Sequence, residues 1–151
     1  MLTLTSCMPE TDVCETDHEL RLVRQKPTKA RGNKILIVDD DPDLCLGLNI
    51  RLAANYYDVC FANNAESAIR TALAELPDLI ILDIGLPDYD GYFVMEGLRA
   101  FPELAEVPIV VLTARNRFTH EKRCRDAGVK RLFEKPVEDQ VLLLAIRQYL
   151  G

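Results

Sequence analysis

The run Leu79-Ile80-Ile81-Leu82, closed by the carboxylate Asp83, constrains this chain more than any other stretch. Four large aliphatic residues without a polar partner suit a strand buried on both faces, as in a parallel sheet covered by helices. In open α/β sheets, ligand chemistry gathers outside the carboxyl ends of the strands. Asp83 stands at such an end, either as a group that does chemistry or as a cap for loop amides. The run alone leaves both open.

Other runs share the pattern. Ile35-Leu36-Ile37-Val38 ends in Asp39-Asp40-Asp41, and Ile109-Val110-Val111-Leu112 ends at Thr113. Val59-Cys60-Phe61-Ala62 and Arg131-Leu132-Phe133 complete a set of five, the last followed by Lys135-Pro136. Helical spacing fills the intervals. Pro42 suits a first turn, with Asp41 as N-cap and Leu44, Leu48 and Leu52 behind it. Asn64 caps a stripe of Ala65, Ala68, Ile69, Ala72, Leu73 and Leu76, and Pro77 stops it. Asp88 to Gly91 is turn and capping chemistry, and Val94, Met95 and Leu98 support a third helix that Gly97 should weaken. Residues 117–127 predict a lightly packed helix, with Gly128 as its C′ residue. The last helix runs from Glu138 to Leu150, with Val141, Leu142, Ala145, Ile146 and Tyr149 as its buried stripe and Leu143 and Leu144 on the flanks. Five strands alternating with five helices predict a doubly wound α/β domain, a parallel sheet with helices on both faces.

Residues 1–33 differ. An acidic half (Glu10, Asp12, Glu15, Asp17, Glu19) precedes a basic one (Arg21, Arg24, Lys26, Lys29, Arg31), with few apolar residues. They predict a polar N-terminal arm or linker, and residues 34–151 the folded domain. Leu4-Thr5-Ser6-Cys7 lacks the basic start and apolar stretch of a signal peptide. Cys7, Cys14 and His18 lack zinc spacing, and the five cysteines suit a reducing, cytoplasmic setting. No apolar run is long enough for a bilayer. The formal charge of −6 disfavours direct binding of nucleic acid. The cluster Arg115, Arg117, Lys122, Arg123, Arg125, Lys130 and Arg131 predicts a solvated or partner-binding face instead.

A parallel sheet places Asp39, Asp40, Asp83, Thr113 and Lys135 on one edge. Three crowded acids repel unless a cation sits among them, and an oxygen-only set points to a hard ion such as Mg²⁺. Lys135 supplies fixed positive charge and Thr113 a hydroxyl, both suited to phosphoryl oxygens. Such a site lets a carboxylate accept a phosphoryl group.

The residues Ile35 to Asp41, Leu82-Asp83-Ile84-Gly85-Leu86-Pro87 with Asp90-Gly91, Leu112-Thr113-Ala114 and Lys135-Pro136 resemble the response-regulator receiver domain of two-component signalling. The resemblance covers residues 34–151. It implies a flavodoxin-like (CheY-like) fold with strand order 2-1-3-4-5 and Asp83 as phosphoacceptor. It further implies that Asp40 binds Mg²⁺ directly and Asp39 mainly through water, with the Gly85 carbonyl as another ligand. Thr113 would bond the phosphoryl group, Lys135 would pair with the acceptor carboxylate, and the bond before Pro136 would be cis. The donor would be a histidine kinase or histidine phosphotransfer protein, and phosphorylation would alter a face that binds a downstream protein. A homodimer tightened by phosphorylation, using Leu144, belongs to the same expectation. The chain would catalyse its own phosphotransfer and dephosphorylation without being a metabolic enzyme. Two alternatives stand beside it: a receiver-like binding module that is never phosphorylated, and an aspartyl-phosphate hydrolase. The hydrolase usually needs a second acid where Gly85 stands. Leu132 occupies a position where the family often carries tyrosine or phenylalanine. Only Gly151 follows the last helix, so the output is expected in a partner, in the arm or in a domain outside this sequence.

Overall fold

A computed structural model of the chain describes residues 33–150. Apart from Asn33, the arm expected over residues 1–33 lies outside the described residues, as do Cys7, Cys14 and His18. In the described residues five strands alternate with five helices: β1 (Lys34–Val38), α1 (Pro42–Ala54), β2 (Asp58–Ala62), α2 (Ala65–Glu75), β3 (Leu79–Leu82), α3 (Gly91–Arg99), β4 (Ile109–Thr113), α4 (Arg117–Asp126), β5 (Arg131–Glu134) and α5 (Asp139–Leu150). All strand pairs are parallel, in the order β2-β1-β3-β4-β5. This is the expected doubly wound sheet.

The period of two along each strand splits its side chains between two cores. Leu36, Val38, Ile80, Leu82 and Val111 face one way, against Ala65, Ala68 and Ala72 of α2 and Val94, Met95 and Leu98 of α3. Ile35, Ile37, Ile81, Val110 and Leu112 face the other, against Leu48 and Leu52 of α1 and Leu142, Ala145 and Ile146 of α5. Helices on both faces explain why β1, β3 and β4 contain almost nothing polar.

The caps fall where the sequence places them. Asp41 accepts from Asp43 N and Leu44 N, Asn64 from Ser67 N, and Asp90 from Phe93 N. Gly128 takes a left-handed φ of 80° after α4. Three local expectations change. Leu76 is not helical but a left-handed C-cap, with φ 47°, packed against the α2–α3 core. Val141 is exposed, whereas Leu143 packs against the α1–α5 core, so the buried stripe of α5 is rotated toward Leu143. Gly97, expected to weaken α3, instead permits close packing: a Cβ there would collide with Ile69 Cδ1 of α2. Its propensity cost in the helix is offset by helix–helix contact.

Candidate functional site

β1 and β3 are paired at the centre of the sheet, but the helices that follow them pack on opposite faces, α1 on one core and α3 on the other, and this is the position where the topology opens a crevice. Backbone pairing continues just past the strands and fixes the loops there. Asp39 N donates to Ala62 O at 3.1 Å, Asp83 N to Val38 O at 2.9 Å and Lys135 N to Thr113 O at 2.8 Å. Residues 39, 83 and 135 are thereby locked at one edge, although up to 96 positions separate them in sequence.

The side chains converge. Asp39, Asp40 and Asp83 offer carboxylate oxygens that all lie within 4.8 Å of one another. Asp39 and Asp83 are buried and Asp40 is exposed at the mouth. Lys135 Nζ donates to Asp39 Oδ2 at 2.6 Å and to Asp83 Oδ2 at 3.3 Å. The lysine therefore holds Asp39 more closely than Asp83, the carboxylate with which the resemblance pairs it. The remaining oxygens take backbone donors: Asp39 Oδ1 accepts from Asp41 N and Asp83 Oδ1 from Gly85 N. Thr113 is fully buried, and its Oγ1 accepts from Arg115 N at 3.2 Å. Among the described residues no hydrogen bond joins Thr113 to Asp83. The peptide bond before Pro136 is cis, as expected.

Three acids face one lysine, which leaves the cluster negative. Burial pushes the Asp39 carboxyl upward, and the hydrogen bonds from Lys135 and Asp41 N offset this only in part. For Lys135, burial alone would lower the ammonium pKa. The bond to Asp39 and the charges of Asp83 and Asp39 outweigh burial and raise it, so the lysine stays charged. An all-oxygen set with surplus negative charge fits a hard divalent cation.

Two supports were not legible from the motifs. Gly91 N donates to Ile84 O at 2.9 Å, and a Cβ on Gly91 would stand 2.9 Å from Asp83 O. Any side chain there would push the backbone of Asp83 and Ile84, which is the physical reason for glycine after Asp90. Asp88, assigned above to turn and capping chemistry, caps a helix more than twenty residues earlier: its carboxylate accepts from Ala65 N at 2.8 Å and Glu66 N at 3.1 Å. The loop carrying Gly85 and Pro87 is thus tied to the start of α2. Only the Asp type at a turn hinted at this, because the cap is formed across space. Arg115 also has a definite place, since a Cβ on Gly85 would lie 3.5 Å from its Nε. Arg115 fills the space above Gly85 that a side chain would otherwise use.

The fold and these strand-edge acids are those of a family whose sequence pattern matches residues 35–147, the response regulator receiver domain, and the chain belongs to it. It is similar to the transcriptional regulatory protein KdpE of Mycobacterium tuberculosis, 34% identical over 75% of this chain and 49% of the relative. It is also similar to the response regulator PleD of Caulobacter vibrioides, 32% identical over 76% of this chain and 25% of the relative. The chain thus spans about half the length of one curated relative and a quarter of the other. Among solved structures, it resembles the receiver domain of a Pseudomonas aeruginosa sensor histidine kinase (29% identity, TM-score 0.73), covering 80% of this chain and 98% of that one. That structure holds a magnesium ion coordinated in its active-site cleft. As a receiver domain, the chain belongs to the signalling modules of two-component systems. No described helix is long and apolar enough to cross a membrane.

Proposed function

We propose that residues 34–151 form a phosphorylation-controlled switch in which Asp83 accepts a phosphoryl group, with residues 1–33 as an arm or linker. The observation that carries this is one lysine bridging two buried acids, with a third acid within 4.8 Å. Asp39, Asp40, Asp83 and the Gly85 carbonyl would hold Mg²⁺, which supplies positive charge for the oxygens of the transferring group.

A carboxylate oxygen of Asp83 attacks phosphorus of a phosphohistidine on a kinase or phosphotransfer protein. The P–O bond forms as the P–N bond breaks, and the imidazole leaves carrying a solvent proton. Lys135, already charged, follows the growing negative charge from carboxylate to phosphoryl oxygen. Thr113 supplies its hydroxyl to the same group, and strand pairing carries any shift at Thr113 to Glu134 of β5. Water attack on the acyl phosphate resets the switch. A hollow of about 490 Å³ borders Asp39 and Asp40 and carries the exposed Phe61, which suits approach by a protein donor. Cytoplasmic location belongs to the same reading, as does a homodimer tightened by phosphorylation.

Phosphoryl uptake from a small-molecule donor, followed by intact mass, tests this. Label should appear only with Mg²⁺ and vanish in Asp83→Asn. Equal labelling of Asp83→Asn would refute the assignment, and no labelling of the wild type would favour an unphosphorylated binding module.

A further inference from the structure

The loop after β3 and the start of α3 carry an aromatic pair that the acid edge does not use. Tyr89 and Phe93 stack with ring centroids 4.2 Å apart and planes 16° from parallel, yet Tyr89 stays 53% and Phe93 42% exposed. Single exposed rings are ordinary, but two in contact form a continuous apolar plate. The plate is firmly held. Asp88 accepts from Ala65 N and Glu66 N at the start of α2, Asp90 caps Phe93 N at 3.0 Å, and Gly91 N donates to Ile84 O. A surface fixed in this way loses little conformational entropy when a ligand lands on it.

Around the plate the charge is negative. Asp88 and Asp90 flank Tyr89 in the chain, Glu66 adjoins Asp88 across space, and Glu96 stands one helical turn beyond Phe93. All four carboxylates are exposed, and among the described residues none is in a salt bridge. Backbone N–H groups satisfy Asp88 and Asp90 without neutralising them. The nearest cations along α2 and α3 are Arg70 and Arg99, and Arg99 reaches instead to Gly128, its Nη2 2.6 Å from where a Cβ there would stand. We infer that this plate binds a basic segment of a partner protein, through an arginine laid flat on the rings. Guanidinium is planar, weakly hydrated and cationic, so it stacks on an aromatic face and still offers donors at its edge to carboxylates. Glu66 and Glu96 supply those acceptors. Two parallel rings make one flat face, whereas a methylated ammonium is enclosed by several aromatic walls. Nucleic acid and anionic lipid are repelled by the acids. A second copy meeting this face symmetrically sets carboxylate against carboxylate. None of these residues has a part in phosphoryl transfer to Asp83, so the two functions stand or fail separately.

Selection of short random peptides on the full chain, with counter-selection on the double variant Tyr89→Ser/Phe93→Ser, tests it. Recovered peptides should be net basic and contain arginine. Synthetic copies should bind the double variant about tenfold or more weakly by fluorescence polarisation, and Tyr89→Phe nearly as well as the wild type. Glu66→Gln/Glu96→Gln should weaken them too, while thermal unfolding verifies that the variants fold. Exchanging arginine for lysine in the peptides should cost about threefold or more on the wild-type protein, a readout that needs no variant. No recovered binder, binders without arginine, or affinities indifferent to the rings would overturn the inference. So would self-association of the wild type that the double variant abolishes, which would assign the plate to a second copy. Tighter peptide binding by a full-length variant with Arg21, Arg24, Lys26, Lys29 and Arg31 changed to Ser would also overturn it, because the chain's own basic stretch would then be the occupant.

Discussion

The helices α3 and α4 cover the same side of the sheet but are attached in different ways. α3 buries Tyr92, Val94, Met95 and Leu98, and closes against α2 through Gly97 and a row of alanines. α4 buries one side chain, Cys124. Its other ties to α3 are polar: Tyr92 OH and His120 Nδ1 are 2.9 Å apart, and Arg123 lies 3.6 Å over the Tyr92 ring. The difference shows where this domain invests in packing and where it leaves surface exposed. Buried apolar area makes α3 part of the cooperative core. α4, with little of it, can shift at small cost.

The largest effect should come from breaking the tight side. Leu98→Ala removes a fully buried side chain and should cost about 2–5 kcal/mol, read from the urea midpoint. Loss below about 1 kcal/mol would mean that α3 is no better anchored than α4. Gly97→Val tests the close approach itself: overpacking against Ile69 should cost about 1–3 kcal/mol. Ile69→Ala should then relieve part of that cost, and simple additivity in the double-mutant cycle would show that the two residues do not meet.

A smaller loss is expected for Asp88→Ala, which removes the cross-chain cap of α2. What desolvation there is pushes the Asp88 carboxyl up, but hydrogen bonds from Ala65, Tyr89 and Glu66 N–H outweigh it and hold it below the ordinary range. A carboxyl lowered on folding stabilises above its unfolded value and loses that contribution as pH falls through the folded one. The gap in thermal midpoint between wild type and variant should therefore be full near neutrality and close in acid below the usual carboxylate range. A gap that widens in acid would contradict the cap. The least effect belongs to the loose helix: Lys122→Ala, on exposed α4, should alter stability by no more than about 0.5 kcal/mol. A loss comparable to Leu98→Ala would erase the contrast between the two helices.

The thiols offer a check without mutation. Burial first, then neighbouring acids, push Cys45 and Cys60 up to about 11. Thiolate is the reactive form, so alkylation of both should be slow at pH 8 and rise steeply as pH approaches 11. Peptide mapping would locate the label, and rapid reaction of Cys45 at pH 8 would show its surroundings to be more open.

By itself the sequence determined what depends on near neighbours. The apolar runs of β1, β3 and β4, the proline in the first turn of α1, the caps Asp41 and Asn64 and the glycine after α4 act within a few residues, so chain order carries them. Four motifs at strand ends also named the acids and the lysine, because a parallel sheet brings such ends to one edge. Tertiary structure decided the rest. The closer hold of Lys135 on Asp39, the reach of Asp88 to α2, the demand for glycine at 91 and 97, and the exchange of Val141 for Leu143 on the buried face all depend on distances between elements. A hollow between α4 and β5, lined by Leu132, belongs here too, since the sequence shows a leucine and only packing shows the space beside it. Periodicity fixes which face of an element is apolar to within a residue or so, whereas contacts across elements turn on fractions of an ångström that no local pattern encodes.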